Sequence, residues 1–82
     1  MGKRRDQIIQ AFGELGGDAP YDALYERIEA NTGECLSGGQ RAGIRREIEN
    51  HSSDSDNWDG VRPDLFRSVG GKGSGHWGLR KR

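Results

Sequence analysis

Apolar side chains recur every three or four residues in the first half of the chain and every two residues near its end. In "KRRDQIIQAFGELGG", Ile8, Ile9, Phe12 and Leu15 fall at helical spacing and Gly16-Gly17 supplies a stop. In "DAPYDALYERIEANTG", Asp18 suits a cap, Pro20 suits the first turn, and Tyr21, Leu24, Tyr25 and Ile28 form one stripe closed by Gly33. "ECLSGGQRAGIRREIENH" predicts a third helix capped by Ser37 and built on Ile44 and Ile48, although its glycines lower the local helix propensity. "HSSDSDNWDG" has no period and reads as a polar loop. "RPDLFRSV" and "HWGLR" then read as short strands, with Trp77 and Leu79 on one side, separated by the glycine-rich "GGKGSG".

The chain has 82 residues, of which 30% are hydrophobic and 32% charged, so it predicts one small domain spanning 1–82 with a concentrated core. No apolar run approaches the ~18 residues that span a bilayer. One cysteine, Cys35, excludes an internal disulfide, and two histidines beside it give no metal-ligand spacing. Cys35, next to Leu36, is expected to be a small buried hydrophobe, and a reducing cytoplasm is the expected setting. The net charge is zero, but its distribution is uneven: residues 61–82 carry six basic groups against one acid, Asp64, whereas residues 51–60 hold three aspartates and no base.

Gly73-Ser74-Gly75-His76-Trp77-Gly78 matches G-x-G-x-x-G literally. A dinucleotide loop needs a strand before the glycines and a helix after them. Only Leu79 to Arg82 follow, so no cofactor is expected and the glycines read as a hairpin tip, where positive φ is needed. Three helices followed by a two-stranded β-hairpin wing is an α+β, winged helix-turn-helix arrangement. "IRREIENHSSDSDNW" and "DLFRSVGGKGSGHWGLR" also resemble the small winged-helix domains appended to prokaryotic restriction endonucleases, over about Arg5 to Arg80. More loosely, they resemble the winged-helix module of enzymes that cut adenine-methylated DNA. The resemblance implies a double-stranded DNA partner, adenine-methylated in its sharper form, and a fused or bound nuclease domain. The chain carries no nuclease signature and no base-activated nucleophile, so it reads as a recognition module and not as an enzyme.

Stepping 100° per residue from Ile44 places Gly39, Ala42 and Arg46 on the far side of the third helix, flanked by Gly38, Gly43, Arg45 and Glu49. Such a low-profile face suits a major groove about 12 Å wide, with Arg45 and Arg46 reaching phosphates or guanine acceptors. Close packing against another helix would use the same small residues. Arg41 lies nearer the buried side and suits a phosphate contact or an internal pair with an acid. Lys72 at the wing tip suits a phosphate or minor-groove contact, or simply a solubilising turn. Lys3, Arg4, Arg5 and residues 80–82 add non-specific attraction or remain solvated.

In the polar loop, Ser53, Asp54, Asp56 and Asn57 offer acceptors for an adenine amino group, and Trp58 offers a flat apolar face for a methyl. The plainer expectation is that Trp58 packs over the core edge while Asp54 and Asp56 cap turns. Trp77 is expected in the core opposite Phe66 or Leu65, His51 at a helix end, and His76 facing solvent. Zero net charge and the acidic loop also suit a different class of function, a winged helix that docks on a partner subunit without touching DNA.

Overall fold

The three amphipathic segments become α1 (Lys3–Glu14), α2 (Tyr21–Thr32) and α3 (Gly38–Asn50). They belong to a computed structural model that describes residues 3–56, 58–70 and 75–80. α1 and α2 stop at the glycines that the sequence offers, and α3 starts at its expected cap. Gly16 and Gly17 take φ of 91° and 104° after α1, and Gly33 takes φ of 73° as the C-cap of α2, donating to the Glu29 carbonyl. Ser37 caps α3 through a reciprocal box: its Oγ accepts from the Gln40 amide at 3.1 Å, and the Gln40 side chain accepts from the Ser37 amide at 2.8 Å.

The fold class is α+β, three helices with a three-stranded antiparallel sheet, and the third strand corrects the expected two-stranded hairpin. β1 (Asp18–Pro20), β2 (Phe66–Ser68) and β3 (His76–Leu79) lie in the order β1-β3-β2. Asp18 therefore does not cap α2. Pro20 occupies the N-cap position with no side-chain bond, and Pro20 suits β1 because that strand is at the edge. The Tyr21 amide, at the start of α2, donates to the Gly75 carbonyl at 3.1 Å and so extends the β1–β3 ladder into the helix.

Register sorts the sheet into two faces. Ala19 and Ser68 flank Trp77, and Phe66 faces Leu79. On this inner face Phe66 and Ala19 are buried, and Trp77 packs half-buried against the core, as expected, but beside Ala19 and Ser68 and not opposite Phe66. Ile8, Ala11 and Phe12 of α1, Leu24, Tyr25 and Ile28 of α2, and Ile44 and Ile48 of α3 close over it. The Phe12 and Phe66 rings meet at 5.8 Å, tilted by 50°, joining the first helix to the second strand. Cys35 is exposed, against expectation, because the buried position of that turn goes to its neighbour Leu36.

On the outer face Asp18, Arg67 and His76 surround Gly78. Asp18 Oδ1 lies 2.7 Å from His76 Nε2, and its Oδ2 lies 3.5 Å from Arg67 Nη2. Gly78 is the residue that lets Asp18 cross: an added Cβ would sit 2.6 Å from the Asp18 Cβ and 2.8 Å from the Gly17 carbonyl oxygen. Among the described residues, no helix is long and apolar enough to cross a membrane.

Candidate nucleic-acid interface

The sides of α3 are divided as its 3.6-residue period requires. Ile44 and Ile48 are fully buried. Gly38, Gly39, Gly43, Arg45 and Arg46 are exposed, and Ala42 is half-buried. Gly in a helix interior costs about 0.5–1 kcal/mol relative to Ala, so Gly43, inside α3, calls for a reason, and Gly38 and Gly39 extend the same bare face into the first turn. Intramolecular packing is not that reason. A Cβ on Gly38 or Gly43 would meet nothing within 4 Å, and one on Gly39 would meet only Ser37 Oγ at 3.9 Å. The low profile of this face therefore serves nothing inside the described residues.

The three arginines of α3 have different surroundings. Arg46 is exposed and makes no hydrogen bond or ion pair among the described residues. The Arg41 guanidinium lies 5.4 Å over the Tyr25 ring, a cation–π contact in place of the ion pair offered by the sequence. Arg45 Nη1 donates to the Tyr25 hydroxyl at 3.4 Å. Tyr25 stacks in turn on Tyr21, ring centroids 5.9 Å apart and planes within 7°. Burial pushes the Tyr21 phenol well above its ordinary range, and the Glu49 carboxylate near it adds to the effect. This tyrosine cluster was not visible as part of the site in the sequence. Its signal was the i, i+4 spacing shared by Tyr21-Tyr25 and Arg41-Arg45.

The hairpin that joins β2 to β3 is closed by Val69 N–H donating to the His76 carbonyl at 2.8 Å. Gly70 and Gly75 flank its tip with φ of 80° and 71°, the positive values expected of turn glycines. Lys72 lies outside the described residues, as do Asn57, Lys81 and Arg82. Other basic groups are engaged. Arg4 bonds Gln7 at 2.8 Å and pairs with Glu34 at 4.0 Å, and Arg5 Nη1 lies 3.4 Å from His51 Nε2.

The polar loop is anchored at both ends. The His51 carbonyl accepts from both Leu65 N–H, at 2.7 Å, and Phe66 N–H, at 3.1 Å. Ser53 is exposed and its amide donates to Asp64 Oδ1 at 2.8 Å. Asp54 Oδ2 accepts from the Ser68 amide at 2.9 Å and meets Arg80 Nη2 at 2.9 Å, so this carboxylate ties the loop to β2. Asp56 is exposed, and it has an interaction partner. Trp58 is half-buried, and its indole N–H donates to the Arg62 carbonyl at 2.9 Å. Beside it Asp59 accepts from the Val61 and Arg62 amides and pairs with the Arg62 guanidinium, leaving Val61 projecting at 86% exposure.

Acid should release these anchors. Burial works against the Asp64 carboxylate, but the Ser53 hydroxyl and amide and the Arg80 guanidinium outweigh it and hold its pKa below 3.8. The Arg62 and Val61 amides hold Asp59 below 3.8 in the same direction. A carboxylate depressed on folding contributes stability above its unfolded value and loses it as pH falls through the folded one. Thermal melts should therefore give a steady Tm between about pH 7 and pH 5 and a falling Tm below about pH 4, with Asp64→Asn flattening that fall.

Comparison with protein-family models, with curated proteins and with solved structures finds no match for this chain.

Proposed function

We propose that this chain is a winged helix-turn-helix domain that binds double-stranded DNA through α3, with the β2–β3 hairpin as the wing. In its sharper form it reads N6-methyladenine for a restriction-type nuclease. The observation that carries the proposal is the glycine-lined face of α3 (Gly39, Ala42, Gly43) with Arg46 unengaged beside it. These glycines weaken the helix and relieve no contact within the described residues. A surface that must approach from outside, such as stacked base pairs, would account for them. The element order α1-β1-α2-α3-β2-β3 and the short turn from Gly33 to Ser37 support this reading, being compatible with a helix-turn-helix followed by a wing.

In the methyl-reading form, Ser53, Asp56, Asn57 and Trp58 supply polar and flat apolar surface beside the flipped or paired adenine, and Asp54 braces them through Ser68 and Arg80. Fluorescence anisotropy at low salt tests both levels. A labelled GATC duplex methylated on both strands should bind more tightly than the unmodified one. Arg46→Ala should weaken binding and reduce the slope of log K against log salt by about 0.9 if Arg46 meets a phosphate. Equal affinity for the two duplexes removes the methyl reading, and no binding to either removes DNA.

A protein-docking reading draws on Asp6, Asp22 and Glu26, exposed on α1 and α2 without ion pairs among the described residues. Gel filtration separates the two: a homodimer whose elution ignores added duplex favours docking.

A further inference from the structure

Tyr25 occupies an unusual position for a buried aromatic residue of α2. Only 6% of it is exposed, yet two arginines of the neighbouring helix end on it, Arg41 over its ring at 5.4 Å and Arg45 at its hydroxyl at 3.4 Å. Residues 41 and 45 lie one turn apart along α3, and Tyr25 and Tyr21 lie one turn apart along α2. The Tyr21 ring stacks with that of Tyr25, centroids 5.9 Å apart and planes within 7°. The base of the hairpin supports Tyr21 through the Gly75 carbonyl, which accepts its amide at 3.1 Å. A chain of contacts thus runs from the hairpin through two stacked rings to two guanidinium groups. Asp22, Glu26 and Glu29 share with Tyr25 and Arg41 a shallow depression of about 290 Å³. None of these acids forms an ion pair with Arg41 among the described residues, so the ring is what locates it.

We infer that Tyr25, braced by Tyr21, is a positioning residue that holds Arg41 and Arg45 in the conformations in which α3 presents them to duplex phosphates. The inference rests on the DNA-binding reading of α3 above. An exposed arginine ordinarily samples many rotamers and loses them when it engages a ligand. Ordering one beforehand is worth roughly two- to tenfold in affinity. A tyrosine with two torsions, already packed in the core, supplies that order with little motion of its own. Its ring face and its hydroxyl act on different arginines, which gives the inference a pattern that simple loss of stability would not reproduce.

Double-mutant cycles on duplex affinity read that pattern. Tyr25→Phe keeps the ring and removes the hydroxyl. It should weaken binding a few-fold, combine non-additively with Arg45→Ala, and combine additively with Arg41→Ala and with Arg46→Ala. Tyr25→Leu removes ring and hydroxyl, should weaken binding roughly tenfold, and should be non-additive with both Arg41→Ala and Arg45→Ala but additive with Arg46→Ala. If Tyr25→Leu shows no thermal transition, the Phe cycles decide alone. Additivity of Tyr25→Phe with Arg45→Ala, or equal coupling to all three arginines, overturns the positioning role while leaving DNA binding intact. Absence of binding by the unsubstituted protein overturns the DNA reading itself, and is seen in the first titration.

Discussion

Gly78→Ala is expected to lower stability by about 1–3 kcal/mol, the cost of overpacking a site that cannot relax, and to lower Tm by roughly 5–20 °C for a domain of this size. The added methyl would stand 2.6 Å from the Asp18 Cβ and 2.8 Å from the Gly17 carbonyl oxygen. Neither neighbour is free to retreat. The Gly17 carbonyl accepts the Leu79 amide at 2.8 Å, and Asp18 is held by His76 at 2.7 Å. β3 cannot move away either, because it is the central strand and is bonded on both edges. Circular-dichroism melts measure the effect, and an unchanged Tm would mean that β1 does not pair with β3 in the register Asp18 to Gly78.

The paired substitution Gly39→Ala with Gly43→Ala should move stability and binding in opposite directions. Nothing within 4 Å obstructs a methyl on Gly43, and only Ser37 Oγ, at 3.9 Å, faces one on Gly39. Alanine should therefore stabilise α3, by up to about 1 kcal/mol per site. If α3 enters a groove through this face, the same methyls must be forced between helix and base pairs. The affinity then falls roughly five- to a hundredfold, from an overpacking cost of about 1–3 kcal/mol. Tm and duplex affinity measured on one preparation give both signs. A rise in both would show that the glycine face is not the contact surface.

The helices were legible because each carries its own signal, an apolar stripe with a stop or cap at its ends. Ile8 and Phe12, Leu24 and Ile28, and Ile44 and Ile48 all reached the core as their spacing required. β1 was not legible. Asp18-Ala19-Pro20 is too short to alternate, its residues favour a helix start, and its partner strand begins at His76, at the other end of the chain. Trp77 reached the core side with Leu79 as its alternation required, but its partners did not: Ala19 and Ser68 are set by register, which a hydrophobic pattern does not specify. At the candidate site, helical periodicity correctly separated the outward Arg46 from the buried Ile44. The use of Tyr25 by Arg41 and Arg45 depends on how α2 crosses α3, and the commitment of Asp54 to Ser68 and Arg80 depends on how the loop returns to the sheet. Both are tertiary facts: the shared i, i+4 spacing of Tyr21-Tyr25 and Arg41-Arg45 does not say that the two pairs meet, and Asp54 carries no local sign of its partners.

The single carbonyl of His51 receives two successive amides, those of Leu65 and Phe66. It fastens the stem of the intervening excursion where α3 ends and β2 begins. Doubling the length of such a tethered insert adds only about 0.6 kcal/mol of chain entropy. Its tip near Val61 can therefore change in length and sequence at little cost to the fold, while the stem keeps helix and strand together.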